Sequence, residues 1–175
     1  MPLRRWVVIA MLSGMLAASV LLWPPIILPV LQIPLTLQVL MVALIGYLLR
    51  PLDAFLCVLI YVLIGVIGIP VFSGGQAGLS AILGPTGGFI LTFPLVALGI
   101  ARFKSKENRW GVNVFVGMIF IVGVLYPIGT LWLSVYLKAT YGATWMAMWV
   151  FLIPDAIKIG FAALLAKRIN PLIQS

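Results

Sequence analysis

Charged side chains are scarce in this 175-residue sequence: only 8% of the residues are Asp, Glu, Lys or Arg, and only three are acidic. A soluble domain normally has about 25% charged residues, so this chain lacks the polar groups that a water-facing surface requires. Because 64% of the residues are hydrophobic, the sequence indicates a protein whose solvent is the lipid bilayer.

Histidine is absent, and cysteine occurs once, as Cys57 within an apolar run. A single cysteine cannot form an intramolecular disulfide, and no cluster of residues has the spacing of a metal site. The sequence also contains no P-loop motif and no evident Ser–Lys nucleophile pair. We therefore expect a protein that is not an enzyme and has no cofactor or metal of its own, with an intramembrane enzyme as the less favoured alternative.

Apolar runs separated by proline, glycine and charged residues predict six helices. The chain length permits about six spans of about 20 residues each with short connections, so a single membrane domain over residues 1–175 is expected. The predicted fold class is an all-α membrane protein with six transmembrane helices in one compact bundle. The first apolar run continues through Trp23, which favours an uncleaved first span over a signal peptide. The predicted helices cover residues 5–23, 34–49, 54–68, 87–102, 111–137 and 145–166.

The net charge of +8 has a simpler explanation than nucleic-acid binding, because the basic residues lie in short clusters between apolar runs. Six spans put both termini on one side of the membrane, together with nine basic residues. Lys138 falls on the opposite side, and Lys158 lies within a span. Since cytoplasmic loops carry an excess of Lys and Arg, we predict a multi-pass protein of the bacterial inner membrane with both termini in the cytoplasm. The nine residues are Arg4, Arg5, Arg50, Arg102, Lys104, Lys106, Arg109, Lys167 and Arg168.

Two opposite charges lie inside the last predicted span, at Asp155 and Lys158. A rise of about 1.5 Å per residue places them roughly 18 and 14 Å from Lys167, near the middle of the bilayer. Each charge costs about 2.5–3.5 kcal/mol at that depth, so isolated exposure to lipid is excluded. At i, i+3 spacing the two side chains share one helix face and can pair. We favour a role in ligand binding, and a purely structural ion pair is the alternative.

The segment Pro70–Gly88 contains six glycines and two prolines. It lacks both a basic residue and the Gly-Lys-Ser/Thr ending of a phosphate-binding loop. Because glycine permits close backbone approach, a packed re-entrant loop and a ligand lid are equally compatible with the segment. Thr36 is interpreted as a helix cap or a hydrogen-bonding partner of another helix. Gln38 could bind a ligand, cap the helix or form a hydrogen bond to another helix.

Small residues recur on the first predicted helix at Ala10, Gly14 and Ala18, which are spaced i, i+4 and i+8. Such a stripe, called the small-residue stripe below, allows another helix to approach closely. From the spacing alone, packing within the chain and contact with a partner subunit are both open.

Four sequence segments occur in this order: Ile33–Gln38 (IPLTLQ), Gly68–Gly75 (GIPVFSGG), Gly84–Phe89 (GPTGGF) and Pro154–Lys158 (PDAIK). Together they resemble the BioY family of biotin transporters. The resemblance extends from about residue 5 to residue 168. It implies a six-helix substrate-binding component, or S component, of an energy-coupling-factor (ECF) transporter that mediates biotin uptake across the cytoplasmic membrane. An S component for another vitamin is the alternative.

The resemblance also implies the partners. The chain would work with a transmembrane coupling subunit and two ATPase subunits of an ECF module within the lipid bilayer, without nucleic acid. ATP would be used by those subunits, and the small-residue stripe of Ala10, Gly14 and Ala18 would face the coupling subunit.

Biotin would bind near the outer side, where Asp155 and Lys158 would contact it. A carboxylate can accept from the two ureido N–H groups, and an ammonium can donate to a carbonyl or a carboxylate. Phe72, Tyr61 or Trp149 would supply apolar walls. The predicted ligand-binding residues are Asp155, Lys158, Gln38, Thr86, Gly87 and Phe72.

Overall fold

The computed structural model describes residues 3–22, 26–27 and 34–174, and most of these are helical. Trp23 and Ile33, which contributed to the sequence predictions, lie outside the described residues. Two short strands, β1 (Ile26–Ile27) and β2 (Pro34–Leu35), pair antiparallel. Apart from this pairing, the prediction of an all-α fold is confirmed. The helices are α1 (Leu3–Leu22), α2 (Gln38–Leu48), α3 (Pro51–Val66), α4 (Gly78–Leu83), α5 (Gly87–Phe103), α6 (Trp110–Phe120), α7 (Tyr126–Leu137) and α8 (Tyr141–Gln174).

Among the described residues, three helical segments are long and apolar enough to cross a bilayer: Leu3–Val20, Trp110–Leu137 and Tyr141–Asn170. The helices α2, α3 and α5 are also apolar but shorter, with 10–17 residues each. This pattern is that of a membrane protein, because apolar helices of this length satisfy their backbone groups without water.

The predicted helix over 111–137 is a continuous helical segment, in which a π-helical turn at Ile121–Leu125 joins α6 to α7. Pro127 lies just beyond this turn and has no N–H to donate to the preceding residues. A π turn is one way in which a helix accommodates such an interruption.

The largest differences from the predicted helix boundaries occur in α2, α3 and α8. Helix α2 begins at Gln38 instead of residue 34, because Pro34 and Leu35 form β2. Helix α3 begins at Pro51 instead of residue 54, since proline suits the first position of a helix. Helix α8 extends beyond the predicted range 145–166 at both ends.

Helices α2 and α5 lie at the centre of the packing: α5 contacts α2, α3 and α7, and α2 also contacts α8. Glycine allows the close approach of α5 to α7. A Cβ on Gly88 would lie 2.3 Å from Cβ of Trp132, and a Cβ on Gly129 would lie 2.3 Å from the ring of Phe89. The helices therefore interlock without room for larger side chains at these positions.

Helix α8 presents two different faces. The buried face carries Asp155, Ile159 and Ala162, whereas the opposite face exposes a continuous row of large apolar side chains. Because the exposed row follows one face of the helix from Met146 to Leu164, it is suited to contact with lipid. The row consists of Met146, Trp149, Val150, Ile153, Ile157, Phe161 and Leu164.

Basic residues tie helix ends together at one end of the bundle. Arg5 forms a bidentate ion pair with buried Asp53, which joins α1 to α3. Lys104 donates from Nζ to the carbonyl oxygens of Tyr47 (2.6 Å) and Leu49 (2.8 Å) at the end of α2. Burial lowers the pKa of Lys104 to about 8, so the ammonium remains mostly protonated at neutral pH and satisfies both carbonyls.

The connection between α5 and α6 is ordered by side-chain amides at the same end. Asn113 accepts from the backbone N–H of Ser105 at 2.9 Å and donates to the Asn108 side chain at 2.9 Å. Asn108 in turn donates to the carbonyl oxygen of Ala166 in α8 at 3.3 Å. These residues, which are predicted to be cytoplasmic, thus share one end of the bundle. That this end lies on the cytoplasmic side of the membrane remains a prediction.

Candidate ligand-binding site

A cavity lies among α2, the start of α5, the π turn and α8, with a space of about 560 Å³ when the open region at its mouth is included. Sites for small molecules are concave and mostly apolar, with a few polar groups. The apolar lining consists of Val39, Phe89, Ile90, Phe93, Leu125, Met148 and Phe151. The polar lining consists of Thr36, Gln38, Ser73, Thr86, Tyr126, Asp155 and Lys158.

Asp155, Lys158 and Tyr126 form a connected cluster, here called the charged group. Asp155 is only 4% exposed, and its Oδ1 accepts from Lys158 Nζ at 2.9 Å. Its Oδ2 accepts from the hydroxyl of Tyr126 at 2.8 Å. Each carboxylate oxygen retains a further lone pair, and the ammonium retains two N–H groups. The charged group can therefore accept hydrogen bonds from ligand N–H groups and donate to a ligand carbonyl.

Tyr126 is a site residue that the sequence predictions missed. The π turn at Ile121–Leu125 ends immediately before it, and insertion of such a turn rotates the residues that follow around the helix axis. The signal in the sequence is the interruption at Tyr126–Gly129, where a proline and a glycine occur within an apolar helix. Because π turns frequently occur at functional sites, a polar side chain next to that interruption was a candidate.

Gln38 and Thr36 belong to a hydrogen-bond network that links α2 to α3. The hydroxyl of Thr36 donates to Gln38 Oε1 at 3.0 Å, and Gln38 Nε2 donates to the hydroxyl oxygen of Tyr61 at 2.5 Å. Tyr61 donates onward to the carbonyl oxygen of Val71 at 3.0 Å. Both ends of the Gln38 amide already have protein partners, so this network fixes the start of the glycine-rich segment beside the cavity.

The glycine-rich segment contributes Ser73 and Thr86 to the lining. It contains a 3-10 turn at Ser73–Gly75 followed by α4, and it is packed against the bundle. The backbone N–H of Phe72 donates to the carbonyl oxygen of Gln76 at 3.0 Å, which closes the turn. The segment is thus both packed and adjacent to the cavity, and its movement as a lid remains a prediction.

Two predicted site residues, Phe72 and Gly87, do not line the cavity. Phe72 is fully buried and meets the ring of Tyr61 edge to face, with ring centroids 5.7 Å apart. A Cβ on Gly87 would lie 1.6 Å from the carbonyl oxygen of Ile82, so this glycine is required by close backbone packing. Trp149 is 62% exposed and is absent from the lining as well. The walls come from other apolar residues, which nothing in the sequence distinguished from the remaining core.

The small-residue stripe lies away from the cavity. Ala10, Gly14 and Ala18 are all exposed, whereas Ile9 and Leu16 on the other face of α1 are buried. A Cβ placed on Gly14 meets no atom within 4 Å among the residues that the structure describes. Within that part of the chain, the stripe is therefore a free surface and not an internal packing seam.

Apolar helices around a largely apolar cavity with a buried charged group define an integral membrane protein that can hold a small amphipathic ligand. The sequence profile of the BioY family matches residues 1–175, and the chain belongs to this family.

Individual relatives agree with this assignment. The probable biotin transporter BioY of Pyrococcus horikoshii is 38% identical, over 79% of this chain and 81% of its own. The biotin transporter BioY of Thermotoga maritima is 32% identical, over 91% and 94% of the two chains. In fold, the chain is similar to the crystal structure of the S-component for biotin from an ECF-type ABC transporter. The TM-score is 0.90, with 23% identity over 95% of this chain and 90% of that one.

Proposed function

We propose that this chain is the biotin-binding S component of an ECF-type transporter and takes part in biotin uptake across the cytoplasmic membrane. The single observation that carries the proposal is the charged group inside an otherwise apolar cavity of a BioY-family chain. Biotin combines a cyclic urea, an apolar thioether ring and a carboxylated tail, and it therefore needs a site of this composition. No bond is made or broken, so the chain acts by binding and not by catalysis.

In this function the charged group recognises the cyclic urea. The free lone pairs on Asp155 and on the Tyr126 hydroxyl accept from the ureido N–H groups, and Lys158 donates to the ureido carbonyl. The rings of Phe89, Phe93 and other wall residues bury the thioether ring. A ligand that lacks the two N–H groups of a cyclic urea leaves the buried carboxylate without hydrogen-bond donors from the ligand. This loss disfavours other vitamins.

Energy for uptake comes from other subunits, because the sequence has no P-loop. The exposed stripe at Ala10, Gly14 and Ala18 is the surface for the transmembrane coupling subunit, since small residues permit close helix approach. Two ATPase subunits complete the module. The chain is a single domain over residues 1–175 with six spans formed by α1, α2, α3, α5, the α6–α7 segment and α8, and both termini face the cytoplasm.

Equilibrium binding of radiolabelled biotin to the purified chain in detergent tests this function. We expect saturable binding at one site that excess unlabelled biotin displaces and that excess thiamine or riboflavin leaves unchanged. Displacement by thiamine or riboflavin but not by biotin would assign the chain to another vitamin. Absence of any biotin binding by a folded preparation would refute the proposal.

A further inference from the structure

The polar residues of the cavity belong to two groups on different elements. The charged group of Tyr126, Asp155 and Lys158 lies on α7 and α8. A second group, here called the hydroxyl pair, consists of Ser73 in the 3-10 turn and Thr86 immediately before α5. The hydroxyl pair carries no charge and is contributed by the two ends of the glycine-rich segment.

Ser73 is 7% exposed, and its hydroxyl has no hydrogen-bond partner within the described part of the chain. A buried hydroxyl without a partner is destabilising, so such groups are usually satisfied by a ligand or by water. The backbone next to Ser73 is anchored, because Phe72 packs on Tyr61 and a Cβ at Gly65 would lie 2.1 Å from the Phe72 ring.

Thr86 is the N-cap residue of α5, yet its side chain makes no capping hydrogen bond. Threonine at this position normally accepts from an N–H of the first turn. The first turn of this 17-residue helix presents the positive end of the helix dipole where Thr86 lines the cavity. A hydroxyl without a capping bond and a positive dipole end, in the same cavity as the hydroxyl of Ser73, suit an anionic oxygen acceptor.

The charged group is poorly suited to a carboxylate, because Asp155 repels a second anion and Lys158 is already paired with Asp155. We infer that the hydroxyl pair and the start of α5 form a separate subsite for the carboxylate of the ligand, with Ser73 as its specificity-determining donor. This inference rests on the proposed function and adds an orientation: the cyclic urea lies at α8, and the carboxylate lies at the start of α5. The apolar walls span the two ends of the ligand.

Binding of two ligands to a small set of variants tests the subsite. The ligands are biotin and biotinamide, in which a neutral amide replaces the carboxylate. The variants are Ser73→Ala and, as a second removal of a hydroxyl, the nearly isosteric Thr86→Val. Ser80→Ala is the matched control, because Ser80 belongs to the same segment but is exposed and bonds only to the carbonyl oxygen of Ala77. Thermal unfolding without ligand accompanies each measurement.

We expect Ser73→Ala to weaken biotin about tenfold or more and to weaken biotinamide less than about twofold, since a hydrogen bond to a charged acceptor is stronger than one to a neutral group. Thr86→Val should show the same selectivity, and Ser80→Ala should bind both ligands like the parent. The ligand-free unfolding temperature of Ser73→Ala should not fall, because an unsatisfied hydroxyl is removed.

Equal losses for biotin and biotinamide, or no loss for either, would overturn the subsite. Neither result would affect the proposed function, because the parent would still bind biotin. A parent that fails to bind biotin would instead refute the proposed function itself.

Discussion

Asp155 and Lys158 remain inside the bundle because every charge is matched by a nearby partner. The ammonium and the Tyr126 hydroxyl each occupy one oxygen of the carboxylate, at 2.9 and 2.8 Å. Removing one member of such a cluster leaves an uncompensated buried charge, which costs several kcal/mol, whereas removing both charges together can be nearly neutral. Comparing the stability and the ligand affinity of single and double substitutions therefore distinguishes a ligand-binding role from a purely structural one.

For Asp155→Asn we expect biotin affinity to fall at least about a hundredfold, or roughly 2.7 kcal/mol, because the amide loses charge and acceptor capacity toward N–H donors. Binding and thermal unfolding in detergent are measured together. Asp53→Asn is the matched control, because Asp53 is also buried and forms an ion pair. Its partner, Arg5, does not line the cavity. It should lower stability but leave biotin affinity unchanged.

The double variant Asp155→Asn with Lys158→Met should recover stability without recovering biotin binding, because no buried charge is left unpaired. The measurement is again paired, with affinity and unfolding temperature determined on one preparation. Parent-like biotin binding by the double variant would mean that the ion pair is only structural and that the ligand binds elsewhere.

Tyr126→Phe removes one hydrogen bond to Asp155 while keeping the aromatic ring. We expect biotin affinity to fall about tenfold, because the carboxylate loses an orienting donor and the ligand loses the hydroxyl lone pair. Tyr47→Phe serves as the control, since Tyr47 is equally buried but donates to the carbonyl oxygen of Asn113, away from the cavity. Similar biotin affinities for the two variants would contradict a direct role for Tyr126.

At the scale of the element, α1 shows how two apolar faces of one helix can differ in function. Ile9 and Leu16 pack into the core, whereas the small-residue stripe of Ala10, Gly14 and Ala18 faces outward. Lipid can cover any apolar face, but a row of small side chains also lets a neighbouring helix approach closely. The open space at Gly14 makes substitutions there informative, because this chain alone should tolerate them.

Gly14→Trp should abolish biotin uptake by the assembled transporter while leaving biotin binding to the isolated chain intact, because the indole blocks close approach of the coupling subunit. Uptake into cells and binding in detergent provide the two measurements. Val135→Trp, at a 73% exposed position on α7, controls for a bulky side chain on the lipid-facing surface. Loss of binding together with uptake in Gly14→Trp would assign the stripe to packing within the chain.

For the molecule as a whole, the basic residues define one end of the bundle. The ties from Arg5 to Asp53, from Lys104 to Leu49 and from Asn108 to Ala166 hold this end together. An excess of Lys and Arg at one end is typical of the cytoplasmic side of a membrane protein. We therefore predict that this end lies in the cytoplasm and that the opposite end faces the outside of the cell.

Cysteine labelling on intact cells tests this orientation. A cysteine at Lys106, in the exposed α5–α6 connection, should resist an impermeant thiol reagent, and a cysteine at Gly142, near the start of α8, should react. Permeabilised cells should label both, which confirms that each position is accessible. The native Cys57 is buried and should give little background. Labelling at 106 but not at 142 in intact cells would reverse the topology.

Composition and local spacing were enough to predict the solvent, the main helices and the local ion pair. Composition required lipid as the solvent, and apolar runs located the main helices to within a few residues, except at the C-terminal end of α8. The Asp155–Lys158 pair followed from helix geometry, because residues three apart lie on one face whatever surrounds them. A hydrogen bond within the fold was the favoured interpretation for Thr36 and one of the alternatives for Gln38, but their shared network with Tyr61 was not predicted.

Which distant residues meet depends on how the helices pack. Tyr126 reaches Asp155 across 29 positions, and its orientation depends on a π turn that sequence periodicity does not reveal. The walls at Phe93 and Phe151, and the missing partner of the Ser73 hydroxyl, depend on packing among several helices at once. Local spacing fixes the helix face on which a side chain lies. The residues that pack against that face depend on how the whole bundle is packed.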